Sequence, residues 1–413
     1  MKGIFSDLVV LELAGVLAGP SVGQFFAELG ARVIKLENPS TQGDVTRTWK
    51  MPGEVSGDQS SYFHSCNWGK ESVGVNLKSL EGQAVMHALV AKSHLVVTNF
   101  LPQAARKLKA DYESLRLLNP EIIVGSIVGY DPESDRPGYD AIIQAEAGYY
   151  YINGDPQSPD WKPTKMPVPL MDILAGHQLK QALLLAILKK NTTGRGSNVT
   201  VSLFDSAVSA LTNQATSYLV AGQVPSPMGS EHPNIAPYGS VYKSSDGRNV
   251  VLAVGTDRQF LSLCELLNRP ELATDPRFEK NADRVKHRSV LKLLLQNAIA
   301  KVDRSVLLND CKKNGIPAGA VHRMDEVFER VPDHVMLQNT DGNSWGVREC
   351  VAWPHYQEGI GESLAAHLCS PPHYAASTRK VLTDYLGYSD SETNELIRSK
   401  AVECRLVQPI QKQ

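Results

Sequence analysis

Short apolar runs alternate with helical patterns over the first 130 residues of the chain. Residues 8–13 form an apolar run typical of a buried strand, an amphipathic helix follows up to Leu29, and residues 32–36 predict the next strand. The alternation then recurs, with predicted strands at 72–77, 94–98 and 122–127 and predicted helices at 79–91 and 112–118. Strands that alternate with helices predict an α/β fold with a mostly parallel sheet and helices on both faces.

The pattern changes after residue 130. Residues 131–169 are rich in Gly, Pro, Asp and Tyr, which is typical of irregular loops that build sites. An apolar helix is predicted over 173–190, a strand over 199–203 and a second helix over 205–221. Because the segment 222–238 contains four prolines, we predict that it is a linker. The predicted domains are a large one over 1–221, a small α+β one over 239–330 and a C-terminal segment over 331–413 that returns to the large domain.

Composition is that of an ordinary globular protein, with 413 residues of which 42% are hydrophobic and 21% are charged. The formal charge of -2 argues against nucleic acid or an anionic membrane as the partner. No uncharged apolar run approaches the roughly 20 residues that span a bilayer. The six cysteines are scattered without a CxxC pair, so we expect no metal site, no disulfide scaffold and a reducing, cytoplasmic location.

Several common catalytic motifs are missing from the sequence. Residues 14–20 follow the first strand without the spaced glycines of a dinucleotide site, which disfavours NAD. Residues 67–70 resemble the end of a phosphate-binding loop, but His64 and Glu71 occupy the positions that need Gly and Ser or Thr. There is also no HExxH and no GxSxG, so neither a zinc protease nor a serine hydrolase is expected.

A series of short motifs in a fixed order carries a family resemblance. They are LAGP at 17–20, LGARVIKLE at 29–37, GDVTR at 43–47, NWGK at 67–70, NFLP at 99–102, RPGYD at 136–140, PVPLMD at 167–172, TGRG at 193–196 and VTVSLFD at 199–205. In these motifs the chain resembles the class III CoA-transferases and their relatives, the 2-methylacyl-CoA racemases, over roughly residues 5–330. The resemblance implies a Rossmann-like large domain, a smaller domain and two chains interlocked as a homodimer.

The resemblance also implies a mechanism. Asp172 would attack the carbonyl carbon of an acyl-CoA to give a mixed anhydride, and the CoA thiolate would return to give an aspartyl-CoA thioester. An acceptor carboxylic acid would then take the CoA. CoA and acyl-CoA are therefore expected as substrates, with no prosthetic group. From pattern alone, an Asp just before an apolar helix is equally typical of a helix N-cap, and that alternative stays open.

CoA carries a pyrophosphate and a 3'-phosphate, which basic residues and a helix N-terminus would bind. Phe100 could instead belong to the core, and Arg106 could be a solvated helix charge. By matching the family motifs we expect seven residues in the CoA site: Asn38, Lys70, Asn99, Phe100, Arg106, Arg136 and Tyr139.

The residue at position 139 distinguishes a transferase from a racemase. Racemases of the superfamily have His at this place because moving an α-proton takes two acid-base groups, so Tyr139 favours a transferase. An isomerase, either α-epimerising or moving CoA within one diacid, and a non-catalytic CoA-binding protein remain alternatives. Formyl-CoA:oxalate enzymes of the family carry Gln where this chain has Leu17, so oxalate is expected to be a poor substrate. Succinyl-CoA is the expected donor at the level of the family.

Overall fold

The structure is a computed structural model that describes residues 3–54, 57–154, 162–338, 345–351 and 368–405. The chain forms two compact units, the first made of Met1–Ala147, Val168–Ala215 and Pro332–Gln413, and the second of Gly148–Pro167 and Thr216–Val331. The segment Gly148–Pro167 therefore groups with the second unit, although our sequence division placed it in the large domain. Backbone hydrogen bonds account for this, since the Gly229 N–H donates to the Gly154 carbonyl across 2.7 Å.

Six parallel strands form the sheet of the first unit, in the order β3-β2-β1-β4-β5-β6. The predicted mostly parallel sheet is thus confirmed. Chain direction across the sheet reverses between β1 and β4, which creates the switch point of doubly wound folds. The strands are β1 (Val9–Glu12), β2 (Arg32–Glu37), β3 (Lys70–Val75), β4 (Leu95–Thr98), β5 (Ile123–Val128) and β6 (Ser197–Ser202).

Helices connect these strands and bury their apolar faces against the sheet. A large core cluster on the sheet includes Leu11, Ile34, Val73, Met86 and Val96, all fully buried. The helices up to residue 210 are α1 (Ala18–Glu28), α2 (Ser61–His64), α3 (Leu80–Ala91), α4 (Pro102–Lys107), α5 (Tyr112–Leu118), α6 (Asp140–Glu146), α7 (Tyr149–Ile152), α8 (Leu170–Thr193) and α9 (Leu203–Ala210).

Helix α8 is the long apolar helix predicted from the sequence, extended by three residues at each end. It stops at Gly194, whose φ of 67° is the left-handed conformation that glycine adopts without strain. The predicted helix over 205–221 is instead two helices, α9 and α10 (Thr212–Ala221), with Thr212 at a φ of 39° between them. Among the described residues, no helix combines the length and apolar character needed to cross a bilayer.

The second unit pairs a small antiparallel sheet with helices around its own core, which includes Tyr242, Phe260, Leu263 and Phe278. Two of its strands form an antiparallel hairpin around Gly247, whose φ is 76°. Its strands are β7 (Tyr238–Lys243), β8 (Asn249–Ala253) and β9 (Ala318–Ala320), and its further helices are α11 (Asp257–Leu266), α12 (Glu271–Thr274), α13 (Asn281–Lys286), α14 (Arg288–Ile299), α15 (Arg304–Lys313) and α16 (Met324–Phe328).

The C-terminal segment packs on the parallel sheet of the first unit. The Glu28 carboxylate of α1 accepts the backbone N–H groups of Glu349 and Cys350, at 2.8 and 3.0 Å. The Ala375 N–H donates to the Ser72 hydroxyl across 2.8 Å. The elements are β10 (Met336–Gln338) paired with β11 (Trp345–Val347), α17 (Thr378–Lys380), a π-helical turn (Val381–Leu386), α18 (Asp390–Arg398) and β12 (Val402–Glu403), which joins β3 as an antiparallel edge strand.

Candidate active site

A pocket of about 340 Å³ opens at the carboxyl ends of the first four strands. It is lined by residues of the segments 13–16, 35–38, 43–45, 75–78 and 99–100 and by Leu108. These segments follow β1, β2, β3 and β4, so the pocket lies beside the switch point between β1 and β4. Open parallel sheets bind their ligands at this place, because the chain leaves adjacent strands in opposite directions and opens a crevice.

Three of the seven predicted CoA residues line this pocket. Asn38 follows β2 and is exposed, and its Oδ1 accepts the Ser40 N–H across 2.9 Å. Asn99 follows β4, accepts the Gly15 N–H at 3.2 Å and donates to the Gly15 carbonyl at 2.9 Å. Phe100 lines the pocket and also packs against the core cluster, and its contact with CoA stays a prediction.

Lys70 does not lie in the pocket. Its ammonium is buried at the start of β3 and donates to the Pro20 carbonyl, the Asn67 side chain and the Glu12 carboxylate, at 2.8 to 3.0 Å. Burial lowers its pKa, and the charge of Glu12 opposes that change. An ammonium has three N–H donors, and all three have acceptors here. Lys70 thus has a structural role in the described structure, and its contact with CoA stays a prediction.

The remaining three predicted residues lie outside the pocket lining. Arg106 ends α4 and pairs with Glu133 at 3.1 Å, with about half of its side chain exposed. Arg136 pairs with Glu146 and stacks 4.2 Å from the centre of the Tyr130 ring. Tyr139 precedes α6 and is 67% exposed. Both arginines can rotate toward a ligand, because exposed ion pairs of this kind hold their partners weakly.

Asp172 is the third residue of α8 and is partly buried. It is not the N-cap, because that position holds Pro169. Asp140 of α6 caps the start of α8 instead, because its Oδ1 accepts the Met171 N–H across 2.9 Å. Its Oδ2 accepts a hydrogen bond from the Gln144 side chain, also at 2.9 Å. The alternative interpretation of Asp172 as a helix cap is therefore wrong.

The packing of α8 on α1 shows which way Asp172 faces. A Cβ added at Gly176 would lie 2.6 Å from the Ser21 hydroxyl and 3.2 Å from the Ala18 carbonyl, so this glycine permits close approach of the two helices. One turn further along α8, the Lys180 ammonium lies 5.7 Å from the ring centre of Phe25. The two helices thus run parallel. Residues four apart share a helix face, so Asp172 is on the face of α8 that packs against α1.

Tyr62 on α2 is a second group near Asp172, and no sequence motif pointed to it. Its ring meets Trp49 edge to face, with 5.0 Å between the ring centres. Burial raises the pKa of Tyr62, and the negative charges of Asp172 and Asp140 raise it further. The phenol therefore stays protonated at neutral pH and can donate a hydrogen bond.

A buried charge network lies beneath the pocket. The Lys35 ammonium lies 2.9 Å from the Glu12 carboxylate and 3.0 Å from that of Asp44, and donates to the Ala14 carbonyl at 2.7 Å. Burial opposes ionisation of Lys35, but the charges of Glu12 and Asp44 raise its pKa. Burial likewise opposes ionisation of Asp44, but the charge of Lys35 lowers its pKa. Lys35 and Asp44 therefore stay ionised, and they bind the backbone of the loop above them at Ala14 and Val16.

Comparisons with known proteins agree with the motifs. The sequence model described as CoA-transferase family III matches residues 5–356. The chain is 38% identical over 334 residues to a succinate–glutarate CoA-transferase of Agrobacterium fabrum, covering 79% of this chain and 82% of the relative. It is 36% identical over 322 residues to an acetyl-CoA:oxalate CoA-transferase of Acetobacter aceti, covering 77% and 80%. A crystal structure of a CAIB/BAIF family protein from Brucella suis superposes with a TM-score of 0.78 at 35% identity, covering 93% of this chain and all of that one.

Proposed function

The chain belongs to CoA-transferase family III, and we propose that it transfers CoA from an acyl-CoA to a dicarboxylic acid with Asp172 as the residue that receives the acyl group. The observation that carries this proposal is the position of Asp172. It lies in the first turn of α8, outside the residues that line the pocket, and the Tyr62 phenol is close enough for the charge of Asp172 to raise its pKa. The N-terminal end of a helix favours an ionised carboxylate, and the reaction needs one.

The proposed reaction proceeds through four acyl substitutions, and the Asp172 carboxylate takes part in each of them. An Asp172 oxygen attacks the thioester carbonyl carbon, the C–S bond breaks, and CoA leaves as the thiolate. The thiolate then attacks the carbonyl carbon of Asp172 in the mixed anhydride, which releases the donor acid and leaves an aspartyl-CoA thioester. The acceptor carboxylate attacks that thioester, and the thiolate finally attacks the acceptor carbonyl. No proton is consumed overall, and Asp172 is regenerated as a carboxylate.

Each tetrahedral intermediate places negative charge on an oxygen close to Asp172. The protonated Tyr62 hydroxyl supports its stabilisation, because a preorganised donor lowers the barrier most where charge develops. Asp140 keeps the start of α8 in place by accepting the Met171 N–H. The first turn of α8, which carries Asp172, is therefore held by a contact with another helix.

We propose that the pocket at the switch point holds a part of CoA. Asn38, Asn99 and Phe100 supply amides and an aromatic face, and Lys78, which also lines the pocket and is exposed, supplies a cation for a phosphate. Arg106 and Arg136 would join the site by leaving Glu133 and Glu146. Tyr139 is exposed beside Asp140 and stays a candidate contact.

Dicarboxylic acids are the proposed substrates because the names of the two relatives described above each contain at least one. One relative is named for succinate and glutarate and the other for oxalate. The second name weakens our expectation that oxalate is a poor substrate, which rested on Leu17. Succinyl-CoA as donor and glutarate as acceptor are the first pair to test, with oxalate as an alternative acceptor.

A homodimer is the proposed assembly, with a second copy of the chain covering exposed apolar side chains. On α8, Leu185 and Leu188 are 67% and 62% exposed. On α10, Leu219 and Val220 are 78% and 81% exposed. Side chains of this size at neighbouring helix positions are typical of surfaces that another chain covers. The family resemblance adds that the two chains interlock.

Activity would be tested with succinyl-CoA and a panel of carboxylic acids, with the new acyl-CoA measured by liquid chromatography. We expect formation of glutaryl-CoA that depends on glutarate. Deuterium uptake at the α-carbon of a branched acyl-CoA without any acceptor acid would show an epimerase instead. Binding of acyl-CoA with no turnover across the whole panel would contradict a transferase.

A further inference from the structure

Val16 has a backbone conformation that a valine rarely adopts. Its φ of 72° is in the left-handed region, where a β-branched side chain is strained. Such residues cost of order 1–3 kcal/mol and persist only where the surroundings enforce them. Val16 lies in the wall of the pocket, in the loop that leads into α1, and α1 is the helix against which Gly176 of α8 packs. Something in the structure must therefore hold this residue.

Side chains from other elements bind the backbone of three consecutive loop residues. The Ala14 carbonyl accepts from Lys35 at 2.7 Å, and Asn99 binds both the N–H and the carbonyl of Gly15. The Val16 N–H donates to both carboxylate oxygens of Asp44, at 3.2 and 3.3 Å. Of these contacts, only the one from Asp44 is made to the strained residue's N–H.

Asp44 is itself held in place from two sides. Its Oδ2 pairs with the Lys35 ammonium at 3.0 Å, and its Oδ1 accepts the Thr46 N–H at 3.1 Å and the Thr46 hydroxyl at 2.8 Å. Its side chain is 1% exposed. Rotation of this carboxylate would remove one of the two counter-charges of the buried Lys35 ammonium, which is costly.

We propose that Asp44 is a positioning residue that, with Lys35 behind it, keeps Val16 in the left-handed conformation and so fixes the loop of residues 14–17 opposite Asp172. This inference rests on the proposed transferase function. The loop forms the wall against which the thioester must be aligned, and small misplacements of reacting groups cost large factors in rate. Asp44 does not touch the reacting atoms and acts only through Val16.

The test uses Asp44→Asn, Val16→Gly and the double variant in the full-length protein. Asparagine keeps the size of the side chain but removes the charge that pairs with Lys35. Whichever way its amide is turned, the NH₂ group faces a donor, either the Lys35 ammonium or the Thr46 N–H. We expect kcat to fall roughly 10- to 100-fold in Asp44→Asn, while KM for the acyl-CoA changes much less. Glycine adopts a φ of 72° without strain. The double variant should therefore recover most of the kcat that Asp44→Asn loses, with Val16→Gly alone measured as its reference.

Two further measurements test the role of Asp44 independently, one with a Thr46 variant and one by amide hydrogen exchange. Thr46→Val leaves every charge in place and removes only the hydroxyl that orients Asp44, so it should give a smaller kcat loss that Val16→Gly also rescues. Amide hydrogen exchange of the peptide containing residues 13–17 should be faster in Asp44→Asn, whether or not the protein turns over a given substrate. Unchanged kcat in Asp44→Asn, unchanged exchange, or a double variant as slow as Asp44→Asn would overturn the inference. A wild-type protein without transferase activity would overturn the proposed function alone, since the exchange experiment still reports on Asp44.

Discussion

The Asp140 carboxylate accepts the backbone N–H of Met171 across 2.9 Å, one residue before Asp172. Helix starts usually obtain this bond from their own N-cap side chain, but Pro169 at that position has no acceptor. Asp140 lies on a different helix and supplies it instead. The site thus links α6 to α8 at the residue next to the proposed nucleophile.

Removal of this bond should affect both stability and rate. We expect Asp140→Ala to lower the free energy of unfolding by about 1 kcal/mol, the usual cost of losing a helix cap. It should also lower kcat, because the first turn of α8 carries Asp172. Asp140→Asn keeps one acceptor oxygen and should retain more of both. Urea unfolding and steady-state kinetics check this, and an Asp140→Ala enzyme with unchanged kcat would show that the cap does not position Asp172.

Lys70 and Lys78 should respond to substitution in opposite ways. Lys70→Met leaves the buried Glu12 with only Lys35 as a counter-charge, so we expect a loss of about 3–5 kcal/mol in folding free energy. Lys78→Met removes an exposed cation from the pocket and should raise KM for acyl-CoA roughly 3- to 10-fold with little loss of stability. Thermal unfolding and kinetics of the pair check this. A stable Lys70→Met enzyme with weakened CoA binding would restore the role that the sequence suggested for Lys70.

The His373–Asp58 pair should make stability depend on pH. The two side chains meet at 2.6 Å, and the hydrogen bond to Asp58 raises the pKa of His373. Burial opposes ionisation of Asp58, but the bond to His373 lowers its pKa to about 2. The contribution of His373 is therefore complete below its ordinary pKa of about 6.5 and is lost as the pH rises through the raised value.

Comparison of wild type with His373→Gln tests that dependence. We expect a difference in unfolding free energy of less than about 1 kcal/mol, because both side chains are partly exposed. The difference should be larger at pH 5.5 than at pH 8.5. The matched control is His373→Gln in an Asp58→Asn background, where the partner carboxylate is gone and the trend should disappear. An equal difference at both pH values would mean that the pair is not ionised as described.

A dimer should be visible directly by light scattering coupled to size exclusion. The expected mass is twice that of the 45.1 kDa chain. Substitution of Leu219 and Val220 by Glu would place charges on the exposed apolar side of α10 and should shift the protein toward monomer or prevent its folding. Wild-type protein that elutes with the mass of one chain at micromolar concentration would contradict the proposed assembly.

Local patterns in the sequence predict the helices and strands well. Most of the differences between the predictions and the structure come from contacts between residues that are distant in sequence. The apolar run over 173–190 is enough to predict α8. The cap of α8 is not visible there, because Asp140 is 31 residues away in sequence from the N–H that it accepts. The burial of Lys70 is hidden for the same reason, since Glu12 is 58 residues away.

The same distinction applies to the candidate site, where the sequence predicts some residues and misses others. Asn38, Asn99 and Phe100 follow strands, so the carboxyl edge of a parallel sheet brings them together as the motifs suggested. Tyr62 and Asp44 reach the site from a short helix and an irregular loop, where no periodic pattern directs a side chain. Their roles depend on which charges surround them, and only the folded chain shows that.

Trapping of the acyl-enzyme tests the central claim most directly. The protein would be incubated with succinyl-CoA without an acceptor, treated with hydroxylamine or borohydride, digested and examined by mass spectrometry. We predict modification at Asp172 alone, no modification and no transferase activity in Asp172→Asn, and full activity in Asp205→Asn, which alters an exposed first-turn Asp of α9. Full transferase activity in Asp172→Asn, or a modification at another residue, would contradict the mechanism.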